Sequence, residues 1–148
     1  MIVVQIAGFS DSGKTTVCRR LAAQARREGH LVGYIKHHDG PLERPASDTG
    51  SVGASGANLR WLAGSDGSCR LGRPDSLDDL IADARAAGCT FVLVEGFKGA
   101  EGAKCWLRRH PDDQPPPGVG NILLDIESAE ALALDAQDLL RRMPRREV

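Results

Sequence analysis

Lysine is scarce in this sequence, with four residues against fifteen arginines, so arginine carries the general surface charge. The exceptions, Lys14, Lys36, Lys98 and Lys104, each stand beside a Gly, His, Glu or strand signal, and are read as positions where a compact, strongly hydrated ammonium is needed. No two cysteines stand at C-x-x-C spacing, and the histidines are not clustered with Cys18, Cys69, Cys89 or Cys105, which argues against a zinc site. The four thiols lie in apolar or small-residue surroundings and are expected buried and free, as in a reducing cytoplasm. No apolar run is long enough to span a membrane, and no basic segment precedes one as in a signal peptide. With a formal net charge of −1, the chain has no global field drawing it to nucleic acid or to a membrane surface. The basic tail RRMPRREV is expected to be a frayed helix end.

What is present is the composition of a soluble globular chain, 41% hydrophobic and 26% charged over 148 residues, enough for one domain spanning 1–148. IVVQIA, ending at Gly8, is a short β-branched run of the kind buried in parallel sheets. From Lys14 to Glu28, Val17, Leu21 and Ala25 recur every four residues, a helix that Gly29 ends. LVGYIK is a second strand, so the chain opens as strand, loop, helix, strand, a right-handed crossover. Residues 37–57, rich in Gly, Pro, Ser and Asp, are expected to form a long loop with room for one short helix, of a length that is usually functional or mobile. NLRWLAGSDGSCRLG reads as a small hairpin turning at Asp66-Gly67, with Trp61 and Leu71 packed beneath it. Ser76 and Asp79 form a capping box before a helix with Leu77, Leu80, Ile81 and Ala84 on its buried stripe, closed by Gly88. TFVLVEG, KCWLRR and NILL follow as strands, and one terminal helix is expected to bury Leu132, Ala136, Leu139, Leu140 and Met143. The alternation predicts a three-layer α/β fold of the P-loop NTPase type, with a mostly parallel sheet and a hairpin excursion.

Between the first strand and first helix stands GFSDSGKTT, residues 8–16. Gly8, Gly13, Lys14 and Thr15 occupy the fixed positions of a Walker A phosphate loop, in the strand–helix setting the motif requires. Glycines let the backbone curl so that successive N–H groups face one anion, and the helix start adds partial positive charge. Lys14 is expected to reach the β- and γ-phosphates and Thr15 to coordinate Mg²⁺, with Ser10, Ser12 and Thr16 as further polar groups. The second Mg²⁺ group is expected to be Glu95, at the end of FVLVE. Lys36, His37, His38 and Asp39 fall on the same crevice edge, with Lys36 the strongest of them for a phosphate contact. Asp48, in the long loop, is expected to approach Mg²⁺ directly or through water if the loop folds over the site, the loop then being a switch element ordered by the γ-phosphate. N-K-x-D, the motif usual for guanine, is missing; Asp125 is one position for a base contact, and residues alone leave guanine and adenine both open.

GFSDSGKTT, GYIKHHDG, SDTGSVGASGA, LVEGFKG and AKCWLRR together resemble the MobB family of adaptor proteins in molybdopterin-guanine dinucleotide biosynthesis. The resemblance covers most of the chain, and VEGFK combined with IKHH is its most specific part. It implies binding of GTP with Mg²⁺ and slow GTP hydrolysis at best. By that pattern Gly8, Ser10, Asp11, Ser12, Gly13, Lys14, Thr15 and Thr16 hold the phosphates, Thr15 and Glu95 hold the metal, and Asp48 lies by the γ-phosphate. Lys36, His37, Lys98 and Lys104 line the crevice on the same reading. A homodimer, a molybdenum cofactor guanylyltransferase of the MobA type as partner, and a molybdopterin-related ligand are implied as well. The chain departs from the family pattern in its uncharged GSVGASGA and in Ala103 before Lys104. A rival expectation from the residues is an ATP-using small-molecule kinase, with Asp39 or Asp48 activating an acceptor hydroxyl and Arg108-Arg109 imitating a lid.

Overall fold

The computed structural model describes residues 1–38, 59–64 and 76–148, with the backbone alone at His38 and 59–64. Seven strands and four helices follow one another in these residues. Strand β1 is Ile2–Ala7, helix α1 Lys14–Arg27, β2 Val32–His38 and β3 Leu59–Gly64. Helix α2 is Leu77–Ala86, followed by β4 Phe91–Glu95, β5 Lys104–Arg108 and β6 Ile122–Glu127. Two short helices, α3 (Ser128–Ala133) and α4 (Ala136–Arg142), precede β7 (Arg146–Glu147). The strand order is β3-β2-β4-β1-β5-β6, every neighbouring pair parallel, with β7 antiparallel to β1.

Period-two alternation along the central strands divides the apolar side chains between two faces. Val4, Ile6, Tyr34, Phe91 and Leu93 face Val17, Leu21 and Ala25 of α1 and Leu139, Leu140 and Met143 at the chain's end. Val3, Ile35, Val92 and Val94 face Leu77, Leu80, Ile81 and Ala84 of α2. Helix, sheet and helix thus form the expected three layers, and the C-terminal ends of β1, β2 and β4 share one edge. Helix α2 begins at the expected capping box, the Ser76 hydroxyl accepting from the Asp79 amide at 3.2 Å and Asp79 accepting from the Ser76 amide at 3.1 Å.

Four expectations need correction or limit. The terminal helix is two helices, because chain direction changes at Leu134 and the Asp135 carboxylate restarts the helix by accepting from the amides of Gln137 and Asp138. Leu132, expected inside, is 42% exposed, and Ala131 is buried in its place. The tail is not a frayed end: Pro144 stops α4, and Arg146 and Glu147 pair with Val3 and Ile2, while Met1 and Val148 exchange backbone hydrogen bonds at 2.9 and 3.1 Å. Residues 59–64 do not open a detached hairpin but join the main sheet parallel to β2. The expected return arm and its Asp66-Gly67 turn lie in 65–75, outside the described residues. Cys18, Cys89 and Cys105 are buried free thiols; burial pushes the Cys18 thiol well up, and Cys105 up to about 12.

The cap at Asp135 carries a pH signature. Hydrogen bonds from the Asp138 amide and from the Gln137 amide hold the Asp135 carboxyl below the ordinary value of 3.8. A folded-state pKa below the unfolded one gives stability that is complete above 3.8 and lost as pH falls through the lower folded value. In urea titrations between pH 6 and pH 3, Asp135→Asn is expected to keep the cap and lose part of the acid-induced fall in midpoint that the wild type shows.

Candidate functional site

The turn from β1 into α1 is wrapped against the ends of β5 and β6. A Cβ on Gly8 would stand 2.5 Å from the Leu107 carbonyl oxygen, so only glycine lets the loop lie against β5. Gly13 takes φ 87° and caps α1 without a side-chain hydrogen bond. A Cβ there would meet the Ser128 hydroxyl at 2.6 Å. The first turn of α1 contains no acidic residue, so its unpaired N–H groups keep their partial positive charge for an anion. Asp11, at φ 58°, is exposed and helps curl the loop, while Ser12 is buried beneath it.

Lys14 folds back over this loop, donating to the Phe9 carbonyl and, at 3.5 Å, to the Ser12 hydroxyl. Burial lowers its pKa most, Glu95 works against that, and the nearby charges of Lys98 and Lys36 lower it further. An incoming polyanion would reverse that balance and favour the ammonium. Thr15 follows on the first turn of α1, its hydroxyl 3.0 and 3.1 Å from the two carboxylate oxygens of Glu95, to which it donates. Glu95 is 4% exposed. Tyr34 also donates its hydroxyl to this carboxylate, and Lys36 lies 3.4 Å from one of its oxygens. Strand register makes the cluster: Lys36 is the direct partner of Glu95 across β2 and β4, and Ile6 the partner of Glu95 across β1 and β4.

Beside the loop lies a cavity of about 410 Å³, walled by Gly8, Ser10 and Lys14, by His37, and by the turn from Glu95 to Ala100. Lys98 projects its ammonium over the Phe9 ring, 5.5 Å from the centroid, and His37 packs edge-on to Phe97 at 5.0 Å. The turn is held by two buried side chains. Gln5 donates to the carbonyls of Gly96 and Phe97 at 3.0 and 2.9 Å. Lys104 donates to the carbonyls of Lys98, at 3.2 Å, and of Ala100. Lys104, expected to line the crevice, is instead 1% exposed beneath that turn, and burial lowers its pKa.

The structure therefore brings Gly8, Ser10, Lys14, His37, Glu95 and Lys98 to one cavity, with Thr15 and Lys36 joined to it through Glu95. Ser12 and Gly13 build the floor of the loop, while Thr16 points to solvent on α1. Asp48, the rival acceptor-activating Asp39 and most of the long loop lie in 39–58, outside the described residues. Asp125 is not beyond the last strand; β6 continues to Glu127, and the Asp125 carboxylate accepts from Arg108 Nε at 2.5 Å. Arg108 also reaches Glu127 at 3.4 Å, so it is bound into the sheet edge and does not form a lid. Tyr34, Gln5 and Ser128 were missed. Tyr34 had a signal: it is the one tyrosine of the chain and stands two residues before Lys36, hence on the same face of β2.

The residues fit a triphosphate with a hard divalent ion: a glycine cradle, a lysine folded over it, and a hydroxyl with a carboxylate converging beside it. Mg²⁺ takes one or two protein oxygens and fills its shell with phosphate and water, and it does not need a cage of side chains. A parallel sheet with this loop at the edge of its central strand is the fold of P-loop NTPases.

Within that class, the family model of MobB, described as "Molybdopterin guanine dinucleotide synthesis protein B", matches residues 3–123, and the chain belongs to this family. It is 28% identical over 145 residues to the molybdopterin-guanine dinucleotide biosynthesis adapter protein of Haemophilus influenzae, covering 94% of this chain and 82% of that one. A probable adapter protein of the same name from Bacillus subtilis is 30% identical over 129 residues, covering 84% and 75% of the two chains. The crystal structure of Bacillus subtilis MobB superposes with a TM-score of 0.58 at 22% identity over 97% of this chain and 98% of that one. A MobB homologue from Bacillus stearothermophilus gives 0.54 at 22% identity, over 95% and 99% of the two chains.

The close approach at Gly8 can be tested directly. Gly8→Ala must push β5 or the loop aside, an overpacking cost of about 1–3 kcal/mol. Chemical denaturation is expected to show that loss, and calorimetry a weakened affinity for inorganic triphosphate.

Proposed function

We propose that this chain is a GTP-binding adapter with weak Mg²⁺-dependent GTPase activity, which assists the guanylylation of molybdopterin in molybdenum cofactor biosynthesis. The observation that carries the nucleotide reading is the convergence of the uncapped α1 start, Lys14 and the Thr15–Glu95 pair on one edge of the sheet. The adapter role follows from family membership and from the names of the Haemophilus and Bacillus relatives. Guanine as the base, a molybdenum cofactor guanylyltransferase as partner, a homodimeric state and a cytoplasmic location belong to the same proposal.

The chain's own groups would work as follows. The backbone N–H groups of the loop and of the first turn of α1 would face the β-phosphate, with Ser12 buried beneath them. Lys14, leaving the Phe9 carbonyl, bridges the β- and γ-phosphates. Thr15 and Glu95 would hold Mg²⁺, which when bound would supply positive charge against the charge developing on the transferred phosphoryl group. Lys98 and His37 lie on the cavity wall where they can meet the terminal phosphate. Water attacks the γ-phosphorus in line, and Asp48 is proposed to stand near it. With no arginine finger or water-orienting glutamine in the motif set, hydrolysis is slow, which suits a protein that holds and hands over a nucleotide.

Calorimetry with Mg·GTP and Mg·ATP, wild type beside Lys14→Ala, tests this reading. The expected outcome is binding with a clear GTP preference, and an affinity that Lys14→Ala lowers by about ten- to a hundredfold, the loss of a charge-assisted phosphate contact at roughly 1.5–3 kcal/mol. A preference for ATP would remove the guanine-adapter reading and leave the phosphate loop standing.

A further inference from the structure

Lys36 stands in an unusual place for a lysine that only awaits phosphate. Its ammonium is 3.4 Å from Glu95 Oε1 and 3.5 Å from Thr15 Oγ1, and its side chain is 12% exposed. Those two oxygens are the ones the proposed function gives to the divalent ion. Register fixes the arrangement, since Lys36 is paired with Glu95 across β2 and β4. Tyr34, two residues earlier on the same face, donates to the other carboxylate oxygen. A single positive charge on a flexible stem is therefore centred on the hydroxyl–carboxylate pair. A divalent ion brought to the same pair would meet that charge at close range in a partly buried site, where repulsion is weakly screened.

We infer that Lys36 is an internal counter-cation: it holds the Thr15–Glu95 pair in the nucleotide-free protein and is exchanged for the divalent ion when a triphosphate enters. The inference rests on the proposed triphosphate–metal reading of this site. The four-carbon stem lets the ammonium swing from Glu95 to the phosphates, which receive the charge the metal displaces. Metal and nucleotide binding are then coupled: a divalent ion alone meets the ammonium at the Thr15–Glu95 pair and binds poorly, whereas a polyphosphate draws the ammonium off that pair, and both gain. A lysine that merely contacts phosphate predicts no such effect on the metal alone.

Mn²⁺ provides the test, because free and bound ion are distinguished by electron paramagnetic resonance without any turnover. Full-length wild type, Lys36→Met, Lys36→Gln and Lys36→Arg would be titrated with Mn²⁺, with and without a non-hydrolysable GTP analogue, after thermal melts confirm folding. Nucleotide-free Lys36→Met and Lys36→Gln are expected to bind Mn²⁺ about tenfold or more tighter than wild type, within the usual range of coupling energies. Lys36→Arg, which keeps the charge, is expected to stay weak, and the neutral variants to show a smaller gain in Mn²⁺ affinity on adding the analogue. The new site should vanish when Glu95→Gln is added to Lys36→Met; if it persists, the ion binds elsewhere and the inference is overturned. Neutral variants no tighter than wild type, while wild type still binds Mn²⁺ with the analogue, overturn the inference and leave the nucleotide reading intact. Failure of wild type to bind the analogue at all overturns both.

Discussion

A carboxylate withdrawn from water has to be surrounded by donors, and the need to surround Glu95 explains much of this molecule's geometry. Its donors come from two other elements: Thr15 from the start of α1, Tyr34 and Lys36 from β2. Removing one partner from such a group costs several kcal/mol, typically about 3–5, because the rest is left buried and unbalanced. That penalty ties the phosphate loop, the first helix and the second strand to one point at the sheet's edge. The same charge counters the crowding of Lys14, Lys36 and Lys98, which would otherwise repel one another.

A second set of contacts shapes the cavity beside Glu95. The turn after β4 exposes carbonyls at Gly96, Phe97, Lys98 and Ala100, and Gln5 and Lys104 satisfy all four from below. Buried carbonyls without donors would be costly, so these two polar side chains, each under 5% exposed, decide the path of the turn. Lys104 is a structural lysine for that reason. Its ammonium faces backbone oxygen from beneath, whereas that of Lys98, one turn away, lies above the Phe9 ring on the cavity side.

Much of the fold was legible because the signals were local. β1, α1, β2, the capping box of α2 and β4 all carry their period and their punctuation within a few residues. The places of the β1–α1 turn and of Glu95 were legible because a motif and a strand end suffice to locate them. Lys104 was misplaced because nothing in AKCW distinguishes a lysine aimed into a cavity from one aimed beneath a neighbouring turn; that depends on which strand is adjacent. The terminal helix was read too long because its apolar spacing is continuous, while Asp135 breaks it through a cap that alternation of residue types does not reveal. The tail was misread for a similar reason. Arg146 and Glu147 carry no strand signal and pair only because β5 meets β1 no earlier than Gln5, leaving the backbone of Ile2 and Val3 available on that side. Asp48 and the long loop lie outside the described residues.

The contact of Phe9 with Trp106 has a use beyond packing. The two rings meet edge to face, centroids 5.4 Å apart, and Trp106 is fully buried with its indole N–H fixed to the Asp113 carbonyl at 2.7 Å. Phe9 belongs to the loop, and Lys98 sits over its ring. An indole so confined has few ways to relax, and a change in the loop reaches it through Phe9. The molecule thus carries its own optical gauge of the loop's state, readable without any attached dye once Trp61, the other indole of the chain, is replaced by phenylalanine.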